Sequence, residues 1–290
     1  MTEPTLQAIN ELFQQHNTIE KIVKIDKLSG TTAGIIYRLE SELNNKYILK
    51  FDEPIQIQIV EQLLNTYQDS TLLPKVLFIA QDKSYFVYSY ISGTTHFNRG
   101  SKRNWLTLLV KELFNKYQNY QHSKIWGRLD YPLSSWREFN EISIEEAKIN
   151  VGQSLTTDDY LFVKSRLIKL FGEGVEQGDR YLLHGDAGVH NCVFDQFSLI
   201  GIIDPSPMIG PIIYDFIYAF CSSPDDINVE TLFSAFDNLE QGRIDKQRLI
   251  DEVSVQLYCR VGLCIKHHPD DLSEYLQAWE YWKELCKDSN

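Results

Sequence analysis

The sequence predicts an α+β protein in two parts, an antiparallel sheet at the N-terminus and a mainly helical remainder. Between Ile22 and Phe51, β-branched and aromatic residues alternate with polar ones, which is typical of half-buried strands. Helical periodicity dominates beyond Gly93. The length of 290 residues exceeds the usual single-domain range of roughly 100–200 residues. We therefore predict two lobes, residues 1–92 and 93–290.

The first lobe begins with a predicted amphipathic helix from Leu6 to His16. Breaks at residues 29–32 and 44–45 divide the alternating stretch into three antiparallel strands. From Pro54, apolar residues at four-residue spacing predict an inserted helix, and the stretch from Pro74 to Tyr90 predicts two further short strands. The first lobe is thus a sheet with one helix inserted between its strands.

Periodic apolar residues predict six helices in the second lobe. They cover Trp105 to Tyr120, Trp136 to Ile149, Asp158 to Phe171, Val229 to Asn238, Asp245 to Lys266 and Leu272 to Cys286. Short apolar runs bounded by polar turns predict small strands that carry loops. They are Tyr181 to Leu183, Cys192 to Phe194 and Leu199 to Ile203.

Composition narrows the range of functions. With 43% hydrophobic and 23% charged residues the chain is globular, and its net charge of −12 argues against nucleic acid as a partner. The N-terminus is acidic where a signal peptide would be basic, and no run approaches the roughly 20 apolar residues of a membrane span. Five cysteines without a CxxC pair favour a reducing compartment. We expect a cytoplasmic protein without a membrane partner, and leave its oligomeric state open.

Three oxygen-bearing side chains cluster in YLLHGDAGVHNCVFDQFSLIGIIDPSP. Asp186 and Asn191 lie five positions apart on a predicted loop, and Asp204 follows thirteen positions later, after a β-branched run. Phosphoryl transfer needs a carboxylate to orient the acceptor hydroxyl and metal ions to bridge the phosphates. Magnesium prefers oxygen ligands such as these. Taken singly, Asp186 or Asn191 would favour the simpler interpretation as a turn residue.

The segment HGDAGVHN resembles the H-G-D-x-x-x-x-N loop of aminoglycoside phosphotransferases, choline kinases and related small-molecule kinases, and IIDPSPMIGPIIYDF continues the resemblance. It implies a bilobal protein kinase-like fold and transfer of a phosphoryl group from ATP, with Mg²⁺, to the hydroxyl of a small-molecule acceptor. Asp186 would be the catalytic carboxylate, Asn191 and Asp204 would hold Mg²⁺, and Asp215 would brace the loop. Pro211 departs from the family, which often has an acidic residue there.

The first lobe also resembles this family at its nucleotide-binding positions. DKLSGTTAGIIYRL is similar to the loop that covers the phosphates of ATP, which implies contacts from Ser29, Gly30, Thr31 and Thr32, although a plain hairpin turn is the alternative. FVYSYISGTT is similar to the segment that binds adenine, which implies contacts near Ser89 and Ile91.

YILKFDE resembles the kinase strand that bears the phosphate-binding lysine, which here would be Lys50 with Glu61 as its partner. An unpaired ammonium on an apolar strand would be costly to bury. The alternatives are an edge-strand lysine with its head in water and a glutamate on a solvated helix face.

The acceptor remains open at this stage. Four acids in the second lobe could bind a polyamine or could simply form a solvated surface. They are Glu138, Glu141, Asp225 and Asp226. Besides a small-molecule kinase, the alternatives are a non-catalytic, pseudokinase-like nucleotide-binding module and a protein kinase, and the absence of D-F-G and A-P-E motifs disfavours the latter. The sequence does not separate ATP from GTP.

Overall fold

The computed structural model describes residues 3–28, 34–95, 97–121, 123–172 and 178–287. The chain divides into two compact units. The first unit comprises residues 1–69 and 73–92, and the second comprises residues 70–72 and 93–290.

The first unit is a five-stranded antiparallel sheet with two helices. Its elements are α1 (Leu6–Gln15), β1 (Ile22–Leu28), β2 (Ile35–Ser41), β3 (Lys46–Phe51), α2 (Pro54–Thr66), β4 (Val76–Ile79) and β5 (Tyr85–Ser89). The strand order is β1-β2-β3-β5-β4, with neighbours antiparallel. This confirms the predicted strands and helices.

Apolar residues at helical and strand spacing build the core of this unit. The Thr5 hydroxyl caps α1 by accepting from the Ala8 amide. Within this helix Ile9 and Phe13 are four residues apart, so both lie on its buried face. They pack with Leu39 of β2 and Leu49 of β3, each of which is fully buried. Strand β3 is the central strand of the sheet, between β2 and β5.

The second unit is mainly helical. Its helices are α3 (Lys102–Glu112), α4 (Trp136–Val151), α5 (Thr157–Phe171), α6 (Ile212–Cys221), α7 (Val229–Phe236), α8 (Lys246–His267) and α9 (Leu272–Lys287). Its strands are β6 (Trp126–Arg128), β7 (Tyr131–Leu133), β8 (Tyr181–Leu183), β9 (Cys192–Asp195), β10 (Ser198–Ile202) and β11 (Met208–Gly210). They form a sheet of order β7-β6-β11-β8 and a β9–β10 pair.

Two sequence predictions need correction here. Helix α3 ends at Glu112 rather than near Tyr120, because a 3-10 turn follows at Phe114–Lys116. Helix α6 has no counterpart among the predicted helices, and eight of its ten residues are buried, so its sequence lacks a polar face. No helix in the described part of the chain is long and apolar enough to cross a membrane.

Candidate functional site

The loop of residues 184–191, here called the HGD loop, connects β8 to β9 and begins at a left-handed glycine. Gly185 has φ +77°, and a Cβ atom at this position would lie 2.0 Å from the carbonyl oxygen of Ser206. The Ser206 amide donates to the His184 carbonyl at 2.9 Å, which keeps the two backbones together. The position therefore requires glycine, both for its conformation and for the close approach.

A buried carboxylate on α6 holds the start of the HGD loop. Asp215 accepts hydrogen bonds from the Tyr117 hydroxyl at 2.6 Å and from the Gly185 amide at 3.1 and 3.2 Å, and the Tyr117 hydroxyl accepts from the His184 amide at 3.1 Å. Burial raises the pKa of Asp215 to about 7, and these donors oppose the rise. Asp215 thus makes the bracing bonds that the family resemblance implied.

The Asp186 carboxylate, 28% exposed, lies next in the loop and is surrounded by donors. Oδ1 accepts from the Tyr218 hydroxyl at 2.7 Å, and Oδ2 accepts from Asn191 Nδ2 at 2.9 Å. His190 Nε2 lies 3.3 Å from Oδ1. Burial alone would raise the pKa of Asp186, but His190 and the Tyr218 hydroxyl outweigh it and hold that pKa below its ordinary value. The carboxylate is therefore ionised at neutral pH.

The structure brings Asn191 to Asp186 and links Asn191 to the strand end before Asp204. The amide Nδ2 of Asn191 donates to both the carbonyl and the carboxylate of Asp186, at 2.9 Å each. The Ile203 amide donates to the Asn191 carbonyl at 2.9 Å. Asp204 itself is half-buried with φ +54°, a left-handed conformation that aspartate and asparagine adopt more readily than other residues with a Cβ atom. The bond between Ile203 and Asn191 therefore keeps Asn191 beside the segment that carries Asp204.

His184, at the start of the HGD loop, is a neutral side chain. It is fully buried, and burial lowers its pKa to about 4, although the charges of Asp186 and Asp204 oppose this shift. The imidazole therefore adds no positive charge near the acids at neutral pH. It helps to position the loop, since its Nδ1 lies 3.4 Å from the Asp186 amide.

In the first unit, Lys50 lies on the central strand β3, so it is not the edge-strand lysine that the sequence left as an alternative. Its side chain is only 12% exposed, and Nζ lies 3.3 Å from Oδ2 of Asp52, which is 8% exposed. Glu61 on α2 forms an ion pair with Lys83 Nζ at 2.5 Å. The pairing of Lys50 with Glu61 stays a prediction.

The remaining nucleotide positions are also predictions. Ser29, Gly30, Thr31 and Thr32 lie outside the described residues. Ser89 ends β5, where its amide donates to the Lys75 carbonyl and its hydroxyl accepts from the Lys75 amide, at 2.8 Å each. Ile91 follows in an irregular, half-buried segment. Because the Ser89 amide is already bonded, adenine would have to use other backbone groups there.

Three of the four acids considered for a polyamine already have partners within the protein. Asp225 lies 3.6 Å from Arg99, and Glu141 accepts from Arg137 at 2.8 Å. Glu138 accepts from the Ser134 hydroxyl at 2.6 Å. These contacts match the solvated-surface alternative better than a dedicated polyamine site.

Sequence reasoning did not identify Tyr117, His190 or Tyr218 as site residues. Tyr117 is 98 positions from Asp215, and Tyr218 is 32 positions from Asp186. The one available signal for Tyr218 was its position one helical turn after Asp215, which would have required α6 to be recognised.

Comparisons with known proteins give the fold. No family model and no curated protein matches the chain. A macrolide 2'-phosphotransferase from Brachybacterium faecium superposes with a TM-score of 0.62 at 12% identity, over 94% of this chain and 97% of that chain. A choline kinase from Cryptosporidium parvum gives 0.58 at 13%, over 98% and 96%. An aminoglycoside phosphotransferase in ternary complex with streptomycin and ATP gives 0.58 at 16%, over 93% of each chain.

These likenesses span nearly the whole of each chain and confirm the predicted α+β, protein kinase-like fold. The chain is thus similar in fold to the small-molecule kinases that its motifs resemble. At such identities the similarity concerns the fold, and the activity has to be argued from the side chains.

Proposed function

We propose that the chain is an ATP- and Mg²⁺-dependent phosphotransferase that moves the γ-phosphoryl group to a hydroxyl of a small molecule. The observation that carries the proposal is the ionised Asp186 carboxylate, fixed between the Asn191 amide and the Tyr218 hydroxyl on a braced loop. The fold supports it, because its solved relatives include macrolide and aminoglycoside phosphotransferases and choline kinase.

In this proposal the acceptor hydroxyl donates a hydrogen bond to Asp186, which orients the hydroxyl oxygen towards the γ-phosphorus of ATP. A carboxylate whose pKa is below its ordinary value is a weak base, but phosphoryl transfer through a loose transition state requires orientation more than deprotonation. The bonds from Tyr218 and Asn191 hold the carboxylate in one orientation before the acceptor arrives.

Asn191 and Asp204 would hold the magnesium. Both bonds from the Asn191 amide to Asp186 use Nδ2, which leaves the harder ligand atom, Oδ1, for a metal. Within the described residues no group of three or more His, Cys, Asp or Glu could hold a metal by itself. This fits an ion whose shell is completed by phosphate oxygens and water. When bound, Mg²⁺ would neutralise charge on the phosphates.

The first unit would supply the nucleotide contacts. We assign Lys50 to the α- and β-phosphates, the segment of Ser29, Gly30, Thr31 and Thr32 to the phosphates, and the backbone near Ser89 and Ile91 to adenine. The Lys50 side chain is 12% exposed and its ammonium lies beside Asp52, which would hold the positive charge in position for the phosphates. Glu61 would complete the Lys50 environment.

The experiment is magnesium-dependent ADP release with a panel of acceptors. Because Glu138, Glu141 and Asp225 are engaged within the protein, the panel should contain neutral polyols, amino alcohols, homoserine and a macrolide as well as aminoglycosides. Asp186→Asn is the test variant. We expect one class to stimulate release and turnover to fall by roughly 10²–10⁴-fold in the variant.

The variant should fold, because the Tyr218 hydroxyl can turn to accept a bond from the new amide. Asp195→Asn, an exposed carboxylate at the end of β9, is the matched control and should keep full activity. Asp204→Asn should remove the magnesium dependence of ATP-induced thermal stabilisation. Stabilisation by Mg-ATP without turnover on any acceptor would instead favour a nucleotide-binding module.

A further inference from the structure

The second unit contains a cavity of about 850 Å³ that the proposed chemistry does not use. It lies near the first residue of β8, whereas the HGD loop follows the last residue of that strand. Among the described residues that line it, none belongs to the HGD loop. Its aromatic lining residues are Trp126, Trp136, Phe171 and Tyr181.

Three guanidinium groups line the same cavity, although the whole chain carries a net charge of −12. Arg180 stacks over the Trp126 ring at 5.0 Å and donates through Nη1 to the Ser123 carbonyl. Arg243 has one distant ion pair, at 4.0 Å from Asp237, and its side chain is about half exposed. Arg248 lies 3.6 Å from Glu252, beyond hydrogen-bond distance. The guanidinium groups therefore retain donors for a ligand.

Two of these donors are buried without an acceptor. Within the described part of the chain, the Nε atoms of Arg180 and Arg248 have no hydrogen-bond partner. These Nε atoms are closed to solvent, so an anion in the cavity would instead contact the outer guanidinium nitrogens of Arg243 and Arg248, whose side chains are 53% and 28% exposed. Asp179 and Glu252 also line the cavity, so among the described lining residues two carboxyl groups stand against three guanidinium groups, and burial raises the pKa of Glu252 to about 7 despite the nearby charge of Arg248.

The start of helix α6 contributes further donors. Pro211, Ile212 and Ile213 line the cavity, and Pro211 at the N-cap provides no side-chain acceptor for the amides of the first turn. Such amides and the helix dipole favour a negative group. The helix terminus and the unpaired arginine donors thus point independently to the same ligand charge.

We propose that this cavity is a binding site for a small anionic aromatic molecule, such as an aryl phosphate or aryl carboxylate. The arginines and the α6 amides would bind the anionic group, and the tryptophan-lined wall would contact the ring. The site is separate from the proposed phosphotransfer site, and binding there requires no catalysis.

The test is calorimetric titration of the full chain with 1-naphthyl phosphate, with 1-naphthol and inorganic phosphate as probes of the ring and of the anion alone. We expect saturable binding of 1-naphthyl phosphate and at least 10-fold weaker binding of each partial probe. Arg243→Gln and Arg248→Gln should each weaken binding about 10-fold or more.

Arg137→Gln is the matched control, because Arg137 is similarly exposed on α4 and is not among the residues that line the cavity. Arg243 is half exposed, so its variant should melt at the wild-type temperature even if Arg248→Gln is less stable. Wild-type affinity in both Arg243→Gln and Arg248→Gln, or no binding of 1-naphthyl phosphate, would each overturn the proposal.

Discussion

Replacing Gly185 with alanine tests how tightly the HGD loop is held. At φ +77° an alanine costs about 1–2 kcal/mol in backbone strain. Its Cβ would also lie 2.0 Å from the Ser206 carbonyl oxygen, and reaching ordinary contact at 3.4 Å requires a backbone shift of more than about 1 Å. Overpacking of this kind adds roughly 1–3 kcal/mol. We expect Gly185→Ala to lower the free energy of unfolding by about 2–5 kcal/mol.

Gly127 provides the matched control. It has the same φ of +77°, but a Cβ there would meet its nearest neighbour, a Phe139 ring carbon, at 3.4 Å. Gly127→Ala should therefore show the backbone strain alone, about 1–2 kcal/mol. The difference between the urea-unfolding free energies of Gly185→Ala and Gly127→Ala gives the steric cost at Gly185. Equal destabilisation of the two variants would refute the steric argument.

Gly185→Ala should also lower turnover beyond its effect on folding. A backbone shift of about 1 Å beside Asp186 would misplace the proposed catalytic carboxylate, and a misplacement of that size reduces turnover by about 100-fold. Activity should be measured at a temperature where Gly185→Ala remains folded. Wild-type turnover in a destabilised variant would show that the loop adjusts without moving the carboxylate.

Three further predictions follow from the second unit. Tyr218→Phe removes the 2.7 Å hydrogen bond to Asp186 and should lower kcat by up to about 100-fold, because a hydrogen bond to a charged group is lost. The KM for ATP should not change. Tyr160→Phe is the control, since it loses a 2.7 Å bond to Glu145 elsewhere. Burial would raise the pKa of Asp159, but hydrogen bonds from Lys283, Thr156 and Trp279 lower that pKa to about 2. The ionised carboxylate therefore stabilises the folded state by on the order of 2 kcal/mol above about pH 4, and this contribution is lost towards pH 2. Asp159→Asn should therefore reduce the urea-unfolding free energy at pH 7 more than at pH 3, and an equal loss at both would contradict the linkage. Burial lowers the pKa of Lys102 to about 8, so the ammonium loses its proton at lower pH in the folded state than in the unfolded state. The free energy of unfolding should therefore rise by on the order of 3 kcal/mol between about pH 8 and pH 10.5. Lys102→Met should abolish that rise, and an unchanged pH dependence of unfolding would show that burial does not govern this amine.

Elements with a repeating pattern and residues close in sequence could be predicted from the sequence. The strands of the first unit and most helices expose one face, so their periodicity is visible in the sequence. Asp186 and Asn191 lie within one loop, and the motif alone brings them together. Helix α6 escaped prediction because burial on all sides removes the polar half of the pattern.

Contacts between distant segments could not be predicted. The bond from Tyr117 to Asp215 and the ion pair of Lys83 with Glu61 depend on how helices and strands pack, which local patterns do not encode. The cavity arginines are a second case, since Arg180 precedes β8 while Arg243 and Arg248 lie near the start of α8. Their common location follows from the tertiary structure alone.

Two of the side chains that hold the HGD loop from outside, Asp215 and Tyr218, belong to the buried helix α6. Transient opening of that helix would therefore inactivate the protein while the rest of the unit stayed folded, so amide exchange along α6 should track the loss of activity on heating. The turn that follows α6, where Asp226 is exposed, carries neither anchor. Substitutions of Asp226 should therefore leave the Asp186 carboxylate in place.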